Sequence, residues 1–181
     1  MDKIRTELVN NGFMPDQIAE IEAGIQAGLD VSVYTDKELL AIQMRQIRLG
    51  LQEGLDVSVY ANRKYDWFQM EEIRKGLEDG IKIELYAFPE LPYDKMQQMR
   101  EIRYGMEHMV DVEQYKNHYY SHEQMREIRI GLENGLDVSY FSSLMYTADE
   151  MKQRRIALQE HPVSCLSMAR TGTMSTFFAR M

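Results

Sequence analysis

His118 and His122, in the string "HYYSH", stand four residues apart, the spacing at which two imidazoles on one helix face can share a metal ion. Such a site needs further ligands, and none stands nearby in the chain. Ser121 between them suits the N-cap of a following helix, which would place the two rings on either side of a helix start. His161 and Cys165 share the spacing, but Pro162 separates them and no orienting carboxylate recurs there, so an imidazole-activated thiol is not supported. "GLQEG", from Gly50 to Gly54, follows a helical pattern and lacks the strand and lysine of a phosphate-binding loop. These residues give no catalytic constellation, so we expect a non-enzymatic protein with no metal and no cofactor.

The whole chain bears on what such a protein could meet instead. It has 181 residues, enough for one ordinary domain with a real core, with 44% hydrophobic and 28% charged residues. No apolar run approaches the roughly 20 residues of a membrane span, and the charged start "MDKIRTELVNNGF" has no apolar segment of a secretory signal. We expect no membrane association and a cytoplasmic location. Cys165 is the only cysteine, which excludes an internal disulfide. A net charge of −8 makes direct contact with nucleic acid a poor expectation, because that affinity rests on neutralising phosphates, and favours a basic protein surface.

What must position any functional surface is a repeat. The strings "QIAEIEAGIQAGLDVSVYT", "QMRQIRLGLQEGLDVSVYA", "QMEEIRKGLEDGIKIELYA", "QMREIRYGMEHMVDVEQYK", "QMREIRIGLENGLDVSYFS" and a worn "EMKQRRIALQEHPVSCLSM" follow one another. Gly24, Gly50, Gly76, Gly105, Gly131 and then Ala157 recur at intervals of 26, 26, 29, 26 and 26 residues, the longer interval falling at "FPELPYD". This predicts an all-α solenoid of about six 26-residue helix–short-helix repeats: an N-terminal cap over 1–16, the array over 17–161, and a C-terminal cap or tail over 162–181.

Within a repeat, Leu40, Met44, Ile47, Leu51 and Leu55 lie on one helical stripe. Ser121 with Gln124, Thr147 with Glu150, Asp66 with Gln69 and Asp94 with Gln97 have the capping-box form. Gly54, Gly80 and Gly135 stand where the helix should stop. Asp30, Asp56, Asp111 and Asp137 then suit the cap of a short second helix, a short strand being the alternative. Tyr34, Tyr60, Tyr86, Tyr115 and Phe141 share a register that keeps the ring and not the hydroxyl, which points to a buried scaffold position stacking unit on unit. Met44, Met70, Met99 and Met125 fill the same core. Arg48, Arg74, Arg103, Arg129 and Arg155 each precede a Gln or Glu by four residues, so we expect surface pairs whose stems cover the core. The interior Gly50 and its equivalents imply close approach of the neighbouring short helix.

Recognition should then fall where repeats differ or along the exposed face. Lys82 replaces the capping aspartate of the third repeat, Met109 replaces a capping glycine, and "EQYKNHYYSHEQ" carries Tyr119 and Tyr120 as an exposed aromatic pair. The string running from Met44 to Ala61, and again from Gln124 to Leu136, resembles a short helical repeat of mobile genetic elements in gut Firmicutes, over roughly residues 17–161. Within that class the chain resembles phage or plasmid anti-defence proteins, type II-A anti-CRISPR inhibitors of Cas9 in particular. The resemblance implies a protein partner, Cas9 with its guide RNA, and so a place in the cytoplasm of the host bacterium. We expect Glu53, Glu78, Asp79 and Glu133 at the repeat turns to bind it, with Tyr119 and Tyr120 as anchors. The alternative is a general protein-interaction module of a mobile element, possibly homo-oligomeric.

Overall fold

The long helices are started by glutamines. Gln17, Gln43, Gln69 and Gln124 stand at the third helical position, and their side-chain oxygens accept the backbone N–H of Met14, Leu40, Asp66 and Ser121 at 2.7–2.9 Å. Asp66 and Ser121 return a bond to the glutamine N–H, and Thr147 with Glu150 does the same, completing three of the anticipated capping boxes. The computed structural model describes residues 2–92 and 95–161, so Asp94 and the tail from residue 162 lie outside it. Gln97 is the first residue of its helix, and Gln98 is the one in register with the other glutamines.

Among the described residues there are seven α-helices and no strand. They are α1 (Asp2–Asn10), α2 (Pro15–Gln26), α3 (Ala41–Gln52), α4 (Trp67–Glu78), α5 (Gln97–Glu107), α6 (His122–Glu133) and α7 (Ala148–Glu160). The short second element is a single 3₁₀ turn, at Val31–Val33, Val57–Val59, Ile83–Leu85, Val112–Gln114 and Val138–Tyr140. Asp30, Asp56, Asp111 and Asp137 cap these turns, accepting the N–H two residues on. The turn after Lys82 forms without such a cap.

The chain divides into two compact units, Met1–Pro92 with α1 to α4 and Tyr93–Met181 with α5 to α7. In the first, α1 packs on α2, α2 on α3 and α3 on α4; in the second, α5 packs on α6 and α6 on α7. Ile18, Ile21, Met44, Ile47, Met70 and Ile73 form the first core, and Met99, Ile102, Met125, Ile128 and Met151 the second, each no more than 5% exposed. The stripe read from the sequence is corrected at both ends, for Leu55 follows the left-handed Gly54 and lies outside α3. Leu40 precedes the first helical residue and is 62% exposed, while Gln43, Gln46 and Gly50 share the buried face with Met44 and Ile47.

Glycine occupies that face because an aromatic ring sits on it. Tyr34, Tyr60, Tyr86, Tyr115 and Phe141 are fully buried. The four phenols donate to the carbonyls of Glu20, Gln46, Glu72 and Glu101, fourteen residues back in the same repeat, at 2.9–3.2 Å. A β-carbon on Gly24, Gly50, Gly76 or Gly105 would overlap the tyrosine oxygen. Burial pushes the phenols of Tyr34, Tyr60 and Tyr115 above the usual tyrosine range, so they stay neutral donors. We predict that Gly50→Ala destabilises the protein by about 1–3 kcal/mol through overpacking, and that adding Tyr60→Phe, which removes the clashing oxygen, recovers part of the loss in urea unfolding followed by circular dichroism.

Helix ends supply a second test. Gly54, Gly80 and Gly135 take left-handed φ values of 67–72° just after α3, α4 and α6, and Met109 takes φ 56° after α5. Met109 is 92% exposed, so its side chain gains little from packing while its β-carbon strains the backbone. Met109→Gly should therefore stabilise the protein by about 1 kcal/mol in the same assay.

Candidate functional site

The arginine ladder shapes the surface on which the anticipated binding residues lie. Each guanidinium makes the expected contact four residues on: Arg48 to Gln52 at 2.9 Å, Arg103 to Glu107 at 3.2 Å, Arg155 to Gln159 at 3.0 Å, and Arg74 and Arg129 to Glu78 and Glu133. These are not the isolated surface pairs that the spacing suggests. Arg48 Nε also donates to Glu20 and Arg74 Nε to Gln46 in the first unit, at 2.8 and 3.1 Å. In the second, Arg129 donates to Glu101 and Arg155 to Glu127, at 2.9 and 2.8 Å. All four acceptors stand 28 residues back, on the preceding helix.

Arg103, Arg129 and Arg155 are 8% exposed or less, and Glu101 and Glu127 no more than 9%. Burial works against the charge on Arg129, but the Glu101 and Glu133 carboxylates outweigh it and hold the guanidinium more basic than usual. The planar fork of an arginine holds two acceptors in a fixed, pre-set geometry, which the compact, rotating ammonium of a lysine does not.

The helix C-termini beyond this ladder are acidic. α4, α5, α6 and α7 end on Glu78, Glu107, Glu133 and Glu160, and Glu53 and Asp79 cap α3 and α4. Among the described helices only α4 has a basic residue in its last turn, Lys75, and it pairs with Glu71 at 2.7 Å. Carboxylates there oppose the helix dipole, which favours cations at this end.

Of the anticipated binding residues, Glu53 and Glu78 are brought together in the first unit on either side of Arg74, with Asp79 exposed beside Glu78. Glu133 belongs to the second unit, pairing with Arg129 and lying 3.2 Å from His108 Nδ1. Tyr119 is 70% exposed. Tyr120 is partly buried and donates its hydroxyl to the Ser142 carbonyl, so it fastens one loop to the next and is no free anchor. Both tyrosines precede α6 whereas Glu133 ends it, so within this unit they stand roughly 18 Å apart at the 1.5 Å rise of a helix and form no common patch.

Around Tyr119 lies a cleft of about 350 Å³, lined among others by Lys95, His118, Ser121, His122 and Glu123. The His118 ring lies against that of Tyr119, with centroids 4.1 Å apart. Ser121 caps α6 as anticipated, separating the two histidines, and His122 Nε2 lies 3.1 Å from Glu123. Among the described residues no three His, Cys, Asp or Glu side chains are grouped to hold a metal, and no helix is long and apolar enough to cross a membrane. Cys165 lies outside the described residues.

Sequence reasoning passed over Leu144 and Met145, which are 48% and 88% exposed on the loop before α7. A signal was present. They occupy the register of His118 and Tyr119, where the first unit has Lys37 and Glu38, then Arg63 and Lys64. Compared with family models, curated proteins and solved structures, the chain matches none.

The ladder predicts a contrast between variants. Arg129→Met, which strands the buried Glu101 carboxylate, should cost about 3–5 kcal/mol, and Arg129→Lys should recover little of it. Arg63→Ala, which removes an exposed, solvent-screened pair with Asp36, should leave the unfolding midpoint nearly unchanged. Chemical denaturation of the three variants measures both.

Proposed function

We propose that this protein is a non-enzymatic inhibitor that binds a basic protein surface through its acidic helix ends. The supporting observation is the placement of Glu53, Glu78 and Asp79 on one unit, and of Glu107, Glu133 and Glu160 on the other, at helix termini where carboxylates oppose the backbone dipole. An arrangement that works against helix stability is consistent with selection for a partner. The ladder arginines take up part of the charge, but Glu53 keeps 43% of its side-chain surface exposed and Glu78 keeps 31%.

The resemblance to type II-A anti-CRISPR proteins makes Cas9 with its guide RNA the partner to try. Such effectors hold nucleic acid in positively charged channels, and an acidic protein seated there would exclude DNA by charge and bulk, with no chemistry. A general protein-interaction role in a mobile element is the second reading. It is favoured by the arginine and glutamine contacts, which are structural and leave the choice of partner to the loops. On the first reading, reversing Glu53 and Asp79 together to lysine, with Glu133 kept because it braces Arg129, should slow association with a Cas9–guide complex by at least about tenfold at low salt and flatten its salt dependence. Unchanged association, measured by surface plasmon resonance across a salt series, would remove it. Glu78 is left intact in that variant because it also braces Arg74.

A further inference from the structure

We infer that the loop end of the second unit, formed by Tyr119, Leu144 and Met145 with the cleft beside them, is a self-association surface whose occupant is a second copy of this chain. This inference stands apart from the acidic helix ends, of which Glu133 lies at the opposite end of α6.

The loops before α6 and α7 stand side by side. The Tyr120 hydroxyl donates to the Ser142 carbonyl, and Gln124 Nε2 donates to the Tyr146 carbonyl at 2.6 Å. The shared surface therefore carries a projection and a hollow together. The projection is Leu144 and Met145, 48% and 88% exposed, and the hollow is the cleft of about 350 Å³ behind Tyr119. A two-fold axis brings each copy's projection to the other's hollow and covers both, the self-complementary arrangement that an isologous contact requires. Methionine suits the projecting role because its unbranched thioether adapts to an irregular hollow.

Charge follows the same pattern. The ammonium of Lys95 lines the hollow, whereas exposed Asp149 and Glu150 in the first turn of α7 accompany the projection. The two-fold pairing sets Asp149 of one copy toward Lys95 of the other. Lys95 also donates to the His118 carbonyl at 3.1 Å, which holds its ammonium at the rim of the cleft. Glu123 in the cleft wall is faced by His122 within its own chain. In the first unit this register holds the charged Lys37, Glu38, Arg63 and Lys64, with Arg63 paired to Asp36 at 2.8 Å, and the exposed Leu40 and Phe88 stand outside it. A chain of net charge −8 repels its own kind. A self-contact is therefore best placed where exposed apolar side chains share a surface with a cation, as Leu144, Met145 and Lys95 do at this end.

Sedimentation equilibrium of the full chain tests the inference without any other partner. A reversible monomer–dimer equilibrium is expected, and Met145→Asp should weaken it by at least about tenfold, as loss of a central apolar anchor does. Lys95→Glu and Asp149→Lys should each weaken the dimer, and their combination should restore it, which simple misfolding cannot mimic; circular dichroism confirms that each variant is helical. A monomer at every concentration the protein tolerates overturns the inference, as does a dimer indifferent to these substitutions. Because Glu53, Asp79 and Glu133 are untouched, failure here leaves the Cas9 reading standing, and the reverse holds.

Discussion

A guanidinium held between two helices is the interaction on which the rest of this structure depends. Arg129 joins Glu133 of its own helix to Glu101 of the preceding one, and Arg155 does the same with Gln159 and Glu127. Burying these groups is costly unless every donor and acceptor is met, and no buried side-chain nitrogen or oxygen among the described residues lacks a partner. The arginine thus sets how two neighbouring helices align, because only one offset brings its fork to both acceptors.

The glutamines add a polar link at the other end of each helix. Gln43 uses its oxygen to accept the N–H of Leu40 and its nitrogen to donate to the Tyr65 carbonyl of the next loop. Gln17, Gln69 and Gln124 act in the same way toward Leu39, Phe88 and Tyr146. Glu150, in that register on α7, keeps the first bond and as a carboxylate has no donor for the second. An amide is required wherever a helix must both start itself and hold its successor's loop.

These links leave the two ends of the helices chemically different. The C-terminal ends gather carboxylates, partly neutralised by the ladder, while the loop ends vary from repeat to repeat because the glutamines bind only their carbonyls. Tyr119 and Met145 can therefore replace the charged Glu38 and Lys64 of the first unit without disturbing the stack. Variation concentrated at one end of a regular framework is how a repeat protein changes its binding surface at little cost in stability.

The all-helical class, the helix starts at Asp66, Ser121 and Thr147, the stops at Gly54, Gly80 and Gly135, and the burial of Tyr60 and Met44 were legible in the sequence by itself, because capping and periodicity act within a few residues. The contact of Arg48 with Gln52 was legible for the same reason. The bond from Arg129 to Glu101, the seat of Tyr60 on the helix at Gly50, the division after Pro92 and the bond from the Tyr120 hydroxyl to the Ser142 carbonyl were decided by the tertiary structure. Each joins residues ten or more positions apart, or in the case of the division reflects which helices pack together, and local spacing carries no information about such packing. The separation of Glu133 from Tyr119 shows the consequence for function: both are near neighbours in the chain, yet a rigid helix between them assigns them to different surfaces.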